Sequence, residues 1–221
     1  MADQGFAAAT IELPGGSDRP RSAAEEARAD LRRALEACGP VDDEIVDRLV
    51  LPLVDKAVPE WRAALDALLA LPEIGGPVGY AGGVIAIGIR LAVVEPPIAA
   101  ALLFAGNFLP RNLFEQARQV TIPLQVLLQW DDEGNDRQMT LDLFDAFGTK
   151  EKTLHANMGG HTGVPQGDDG NRFFTRHLKC GRAVRPAADD SISDRDPRCR
   201  RPSLLLPQRL DSPSRICWVG S

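Results

Sequence analysis

Two neighbouring acids and a histidine stand where acid–base chemistry could be done. Asp131-Asp132 follows the apolar run Leu124 to Leu128, and Gly159-Gly160-His161 follows Thr153 to Ala156. A histidine takes and returns protons near neutral pH, and a carboxylate can work with it as a general-base pair on a hydroxyl or on water. Upstream, Val78 to Gly88 reads as a short buried strand, a glycine-rich turn and an apolar helix. A turn of the form G-x-S-x-G holds a serine nucleophile on a strained elbow between strand and helix. The five positions here are Gly82, Gly83, Val84, Ile85 and Ala86. A valine side chain has no atom that can attack a carbonyl, so the elbow lacks its nucleophile.

Other candidates are weaker. Ser17 sits in the turn after Leu13 with no evident base near it, and Cys38 has less support still. A metal site from Asp131, Asp132, His155 and His161 is conceivable. His155 falls inside a strand, however, and reads as a buried structural histidine, so no metal is expected. His177, next to Arg176, reads as a surface side chain. The four cysteines, Cys38, Cys180, Cys199 and Cys217, form no C-x-x-C pair and no zinc spacing. They read as free thiols in a reducing compartment. No cofactor is expected.

Composition narrows the function classes. The chain has 221 residues, enough for one sizeable domain, and 44% are hydrophobic, enough for a real core. A net charge of −6 argues against a general nucleic-acid binder, because phosphate binding needs a basic face. No apolar run reaches the roughly 18 residues of a membrane span. The longest apolar region, Val84 to Val94, is interrupted by Gly88 and Arg90. Met1 to Gly5 lacks the basic and apolar segments of a signal peptide, so a cytoplasmic location is expected.

The elements that must position these residues follow from pattern. Phe6 to Leu13 reads as a buried strand ending at Pro14-Gly15-Gly16. Ser22 to Ala37 reads as a charged, Ala-rich helix, with Ser22 as N-cap and Glu25 completing a capping box. Asp42 to Leu71 is helical, with a break expected at Pro52 and a new helix started by Pro59. Within it Trp61, Leu65, Leu68 and Leu69 form one apolar stripe. Strands follow at Val78–Ala81, Ala99–Ala105, Leu124–Leu128 and Thr153–Ala156, with helices to Glu95, over Arg137–Phe147 and over Asn171–Leu178. Trp61, Phe144, Phe147, Phe173 and Phe174 stand at core-like spacings, and Trp130 reads as core or pocket wall. Short apolar strands alternating with helices imply a parallel sheet covered on both faces.

After Leu178 the character changes. Residues 179 to 221 hold nine Lys or Arg and five Asp or Glu, a balance of +4, while the rest of the chain carries −10. Five of the 17 prolines are there. This stretch is expected to be an irregular, disordered tail, leaving residues 1–178 as the domain.

Residues 5 to 178 thus show an elbow, an acid and a histidine, in that order and each after a strand. This is the order of the α/β-hydrolase superfamily, and the chain resembles its dienelactone-hydrolase-like branch. Phe6 to Pro20 is similar to that branch's strand ending in P-G-H-G-D-R-P. Val78-Gly79-Tyr80 is similar to its strand before the elbow, and Trp130-Asp131-Asp132-Glu133 to its acid loop. Lys150 to His161 is similar to its last strand and histidine loop. The resemblance implies an α/β fold, a mainly parallel sheet with helices on both faces, incomplete at the N-terminus. It makes His161 the base, Asp132 rather than Asp131 the orienting acid, Val84 the nucleophile position and the Ile85 N–H an oxyanion donor.

Three departures bear on activity. Val84 replaces the nucleophile. Ala86 replaces the last elbow glycine, so the turn is expected to relax from its strained form. The chain also starts a strand or two into the family's sheet, without the loop that supplies a second oxyanion donor, worth about 3 kcal/mol of barrier. The expectation is a protein resembling ester and lactone hydrolases, catalytically impaired, with a small ester or lactone as ligand. One alternative is a non-enzymatic binding or self-associating protein, with a second copy on an exposed sheet edge. Another is a weak hydrolase in which Asp132 and His161 activate water. Marginal stability is expected for a sheet without its opening strands.

Overall fold

The computed structural model describes residues 5–14, 24–37, 41–82, 84–104, 108–132, 135–161, 167–179 and 203–209. Ser17, Ser22, Gly83 and the four cysteines lie outside them. The elements in chain order are β1 (Phe6–Ala8), β2 (Ile11–Glu12), α1 (Ala24–Glu36), α2 (Asp43–Leu69), β3 (Val78–Gly82), α3 (Ile85–Val94), β4 (Ile98–Phe104), α4 (Asn112–Ala117), β5 (Leu124–Gln129), α5 (Arg137–Ala146), β6 (Lys152–Asn157), α6 (Gly167–Leu178) and β7 (Ser203–Arg209).

The apolar runs pair in parallel, in the order β1-β7-β3-β4-β5-β6, with β2 also on β7. Their period of two divides the core between the faces of the sheet. Along β4, Ala101 and Leu103 pack with residues of α2, α3, α4 and α5, whereas Ala100 and Leu102 pack with Phe174 and Leu178 of α6. Along β5, Leu124, Val126 and Leu128 join the first cluster and Leu127 the second. The chain therefore has an α/β fold, a mainly parallel sheet with helices on both faces.

Three elements differ from their sequence reading. The first is α2, which runs unbroken over Asp43–Leu69 with both Pro52 and Pro59 inside it. Each proline removes one backbone hydrogen bond. The helix persists because Val46, Val50, Val54, Ala57, Val58, Trp61 and Leu65 are all buried, and tertiary packing outweighs the local cost. Asp42 caps its start by accepting from the Glu44 N–H at 2.9 Å. The second is the Phe6 to Leu13 run, which forms two short strands, both paired to β7. The third lies in the stretch expected to be irregular. There residues 203–209 form β7, paired in parallel with β3 from Val78↔Leu204 to Ala81↔Pro207. Its Leu204-Leu205-Leu206 run was the apolar signal for a strand, hidden among charged and proline-rich neighbours. Among the described residues, no helix is long and apolar enough to cross a membrane.

Helix α3 lies close to the sheet. A Cβ on Gly88 would come within 2.5 Å of Leu103 Cδ2 and 2.6 Å of Tyr80 Cε1. Tyr80 is fully buried, with the Trp61 ring edge-on at 6.1 Å. Gly88 is thus the contact that lets α3 descend onto β3 and β4.

Two outcomes follow. Gly88→Ala gains the roughly 1 kcal/mol by which alanine exceeds glycine inside a helix. It loses more to overpacking, about 1–3 kcal/mol, and its urea midpoint falls. An unchanged or higher midpoint would contradict this seating of α3. Removing β7 by ending the chain at residue 202 strips one side of β3 and the only sheet partner of β1 among the described residues. Amide hydrogen exchange then accelerates over Phe6–Ala8 and Val78–Ala81, and unchanged protection there would place β7 outside the sheet.

Candidate functional site

In an open parallel sheet, ligands bind beyond the carboxyl ends of the strands. On that edge β3 leads into Val84, β4 ends at Phe104, β5 runs into Trp130-Asp131-Asp132, and β6 runs into Met158 to His161. The acid loop is built by a turn in which the Asn135 N–H donates to the Asp132 carbonyl at 3.1 Å. Asp136 then caps α5, accepting from Gln138 N at 2.9 Å and Met139 N at 3.2 Å.

The Asp132 side chain is 4% exposed and lies against that of His161, which is 28% exposed. His161 Nδ1 stands 2.6 Å from Asp132 Oδ2. With its proton on Nδ1, the ring donates to the carboxylate, and Nε2 is the nitrogen left for proton exchange. The edge of one ring meets the other where His161 packs on Phe104, centroids 5.6 Å apart and planes at 79°. Phe104 belongs to β4, so the histidine loop reaches back from β6 across the end of β5. The carboxylate and the phenyl ring together fix the imidazole.

Asp131 is turned to a different partner. Its Oδ2 accepts from the Gly159 N–H at 3.1 Å, and its own N–H donates to the Gly159 carbonyl at 3.1 Å. Gly159 has φ +130°, a conformation that side-chain-bearing residues rarely adopt. Next to it, the Trp130 N–H donates to the Asn157 carbonyl at 2.7 Å. The acid and histidine loops are therefore bonded to each other directly. The spacing of Asp131 and Gly159 along the chain carried no hint of this. Only the pairing of β5 with β6 brings them together.

Val84 precedes α3 with φ −95° and ψ 90° and makes no side-chain cap. That is ordinary extended backbone, so the turn is relaxed at this residue, as a β-branched side chain requires. Its carbonyl accepts from Ile87 N at 3.0 Å and Gly88 N at 3.3 Å. Ile85 is the first residue of α3, and its N–H is among the first-turn groups that intrahelical bonds leave unmet. Ala86 is buried.

Other residues fall differently from expectation. Trp130 is 37% exposed and lies under the Arg137 guanidinium, 4.3 Å from the ring centroid, so it is not a core residue. His155 is only partly buried, because β6 is the outermost of the described strands on its side, and it stands 3.4 Å from Asp169 of α6. His177 is not a surface residue. Its side chain is 11% exposed, against the Phe173 ring at 4.8 Å. Among the described residues, no three His, Cys, Asp or Glu side chains are placed to hold a metal ion.

Three solved structures similar to this chain are of a cold-adapted esterase from an Arctic intertidal metagenomic library. Its PEG-bound complex is 31% identical, with a TM-score of 0.53, over 76% of this chain and 68% of the esterase. Its zinc-bound structure is 31% identical, with a TM-score of 0.53, over 60% of this chain and 63% of the esterase. Its native structure is 30% identical, with a TM-score of 0.52, over 60% and 64%. The chain thus spans about two-thirds of the esterase's length. No family model and no curated protein matches it.

The packing of His177 gives a pH dependence. Burial lowers its pKa below the ordinary value, with Arg176 adding to this and Glu151 opposing it. The unfolded chain therefore binds this proton more readily than the folded one. Stability is unaffected by His177 above an unfolded pKa of about 6.5 and falls as pH drops below it, towards the lower folded pKa. His177→Gln should flatten this limb of the curve of unfolding free energy against pH. An identical limb in the variant would contradict the assignment.

Proposed function

The chain belongs to the family of that cold-adapted esterase, with an α/β-hydrolase-like fold, and from this premise we propose that it is a member of the dienelactone-hydrolase-like branch whose turnover is impaired at one position, Val84. The observation that carries the proposal is the 2.6 Å contact between His161 Nδ1 and Asp132 Oδ2. In such a site Asp132 holds the ring and stabilises its charged form, while His161 Nε2 takes the nucleophile's proton and returns it to the leaving group. The Ile85 N–H serves the oxyanion. With Val84 there is no hydroxyl for the histidine to act through. Acid and base contribute little once the nucleophile is gone, because the three act as a unit.

The proposed ligand is a small ester or lactone, taken without a cofactor, and the proposed setting is the cytoplasm. Binding, rather than turnover, is what a site of this kind retains. The reading as a self-associating protein is less favoured, because β7 covers β3 and leaves the three-residue β1 as the last described strand on that side, a short edge for a second copy.

The test is hydrolysis of p-nitrophenyl acetate and a simple lactone. The native chain should give no turnover above background. Val84→Ser should hydrolyse the ester, and Val84→Ser with His161→Ala should be silent. Turnover by the native chain that vanishes in His161→Ala would instead favour water activation by Asp132 and His161. Silence in Val84→Ser would leave a binding protein.

A further inference from the structure

Two adjacent carboxylates enter the site, and the structure divides them. Asp132 is buried and meets the imidazole, whereas Asp131 is exposed and meets the backbone of Gly159. The reciprocal pair of bonds between Asp131 and Gly159 closes a ring between the acid loop and the histidine loop. On one side of this ring the next residue is Asp132. On the other, His161 is two residues away. Met158 is bulged out to 68% exposure, and Gly159 takes a φ of +130°, so the histidine loop departs from the strand ladder here. The Asp131–Gly159 pair is the tie that joins this loop to the acid loop between the end of β6 and His161.

We propose that Asp131 is the positioning residue of the site. Its carboxylate anchors the Gly159 amide and thereby holds His161 Nδ1 on Asp132. This rests on the reading of Asp132 and His161 as an acid–base pair. It goes beyond that reading in giving the second aspartate a separate task. Asp131 acts as a hydrogen-bond acceptor and not as a charge, since its partner is a neutral amide. Asparagine, which keeps a carbonyl oxygen in the same place, should therefore replace it, and alanine should not.

The experiment has two readouts on the full chain. The first is the His161 Nδ1–H resonance, found downfield of the amides by proton NMR and assigned by its loss in His161→Ala. It should persist in Asp131→Asn and broaden into exchange with water in Asp131→Ala. The second is ester hydrolysis in the Val84→Ser background. There Asp131→Ala should lower kcat about 100-fold with KM unchanged, the cost of a misplaced catalytic group. Asp131→Asn should keep the rate, and Asp132→Asn should lower it by about 10⁴. If Asp131→Ala does not fold, Gly159→Ala disturbs the same contact from the other loop, because a Cβ disfavours the φ of +130° that presents this amide, and loss of the Nδ1–H signal is again expected. Persistence of the signal in the folded variant overturns the proposal. So does a rate loss in Asp131→Asn as large as in Asp132→Asn, which would make Asp131 the acid. Silence of every Val84→Ser variant, with the NMR signal behaving as expected, sustains the anchor and removes only the hydrolase reading.

Discussion

Parallel strands pair in phase only when every crossover returns the chain to the same edge of the sheet. From β3 to β6 this chain does so three times, through α3, α4 and α5. As a result the ends of four strands, and the residues just beyond them, lie along one edge. Phe104, Asp132 and His161 are far apart in sequence, and this pairing makes them neighbours, while Val84 follows β3 on the same edge. Each register fixes a side chain's height. Phe104 stands opposite Leu127, and Leu127 opposite His155, so β6 delivers its loop two strands away from the phenyl ring that His161 meets.

The same ladder demands burial on both faces, and the seat of α3 shows how tightly this is met. Tyr80 fills the space under the helix, and burial pushes its phenol well above its ordinary pKa, so the ring stays neutral. Trp61 reaches it from α2, so the helix with two internal prolines is seated on the buried ring of β3. Gly88 is a place where α3 approaches the sheet too closely for a Cβ, and its first turn, with Val84 and Ile85, is seated by that approach.

Much of this was legible in the sequence wherever one rule governed a segment. The alternation of apolar runs and amphipathic stretches gave β3 to β6 and α5 within a residue or two, and with them the fold class. The positions of Asp132 and His161 after strands were readable too. What could not be read was decided by packing between distant segments. Pro52 predicts a break, because the local rule knows nothing of seven buried side chains on the same helix. The short apolar run in β7 is outweighed by charged neighbours and becomes a strand only because β3 offers it a partner. His155 was read as buried from its strand, but the burial of a strand residue depends on whether another strand lies outside it, and none of the described strands does. The resemblance separates Asp132 from Asp131, but the partner of Asp131, Gly159, lies 28 residues on and has no signal in the sequence.

One asymmetry remains between the residues of the site. Asp132 is almost wholly buried, and its charge is met by His161. Taking away one partner of a buried acceptor costs about 1–3 kcal/mol, towards the low end here because the histidine is 28% exposed and water screens the pair. The acid and the base therefore help to hold each other in place, whether or not they do chemistry. Position 84 carries no such obligation. Its residue makes no side-chain hydrogen bond, its backbone is relaxed, and its valine is partly buried against the main core. A hydroxyl there would give up some of that apolar contact, whereas the contact of His161 with Asp132 involves no atom of position 84.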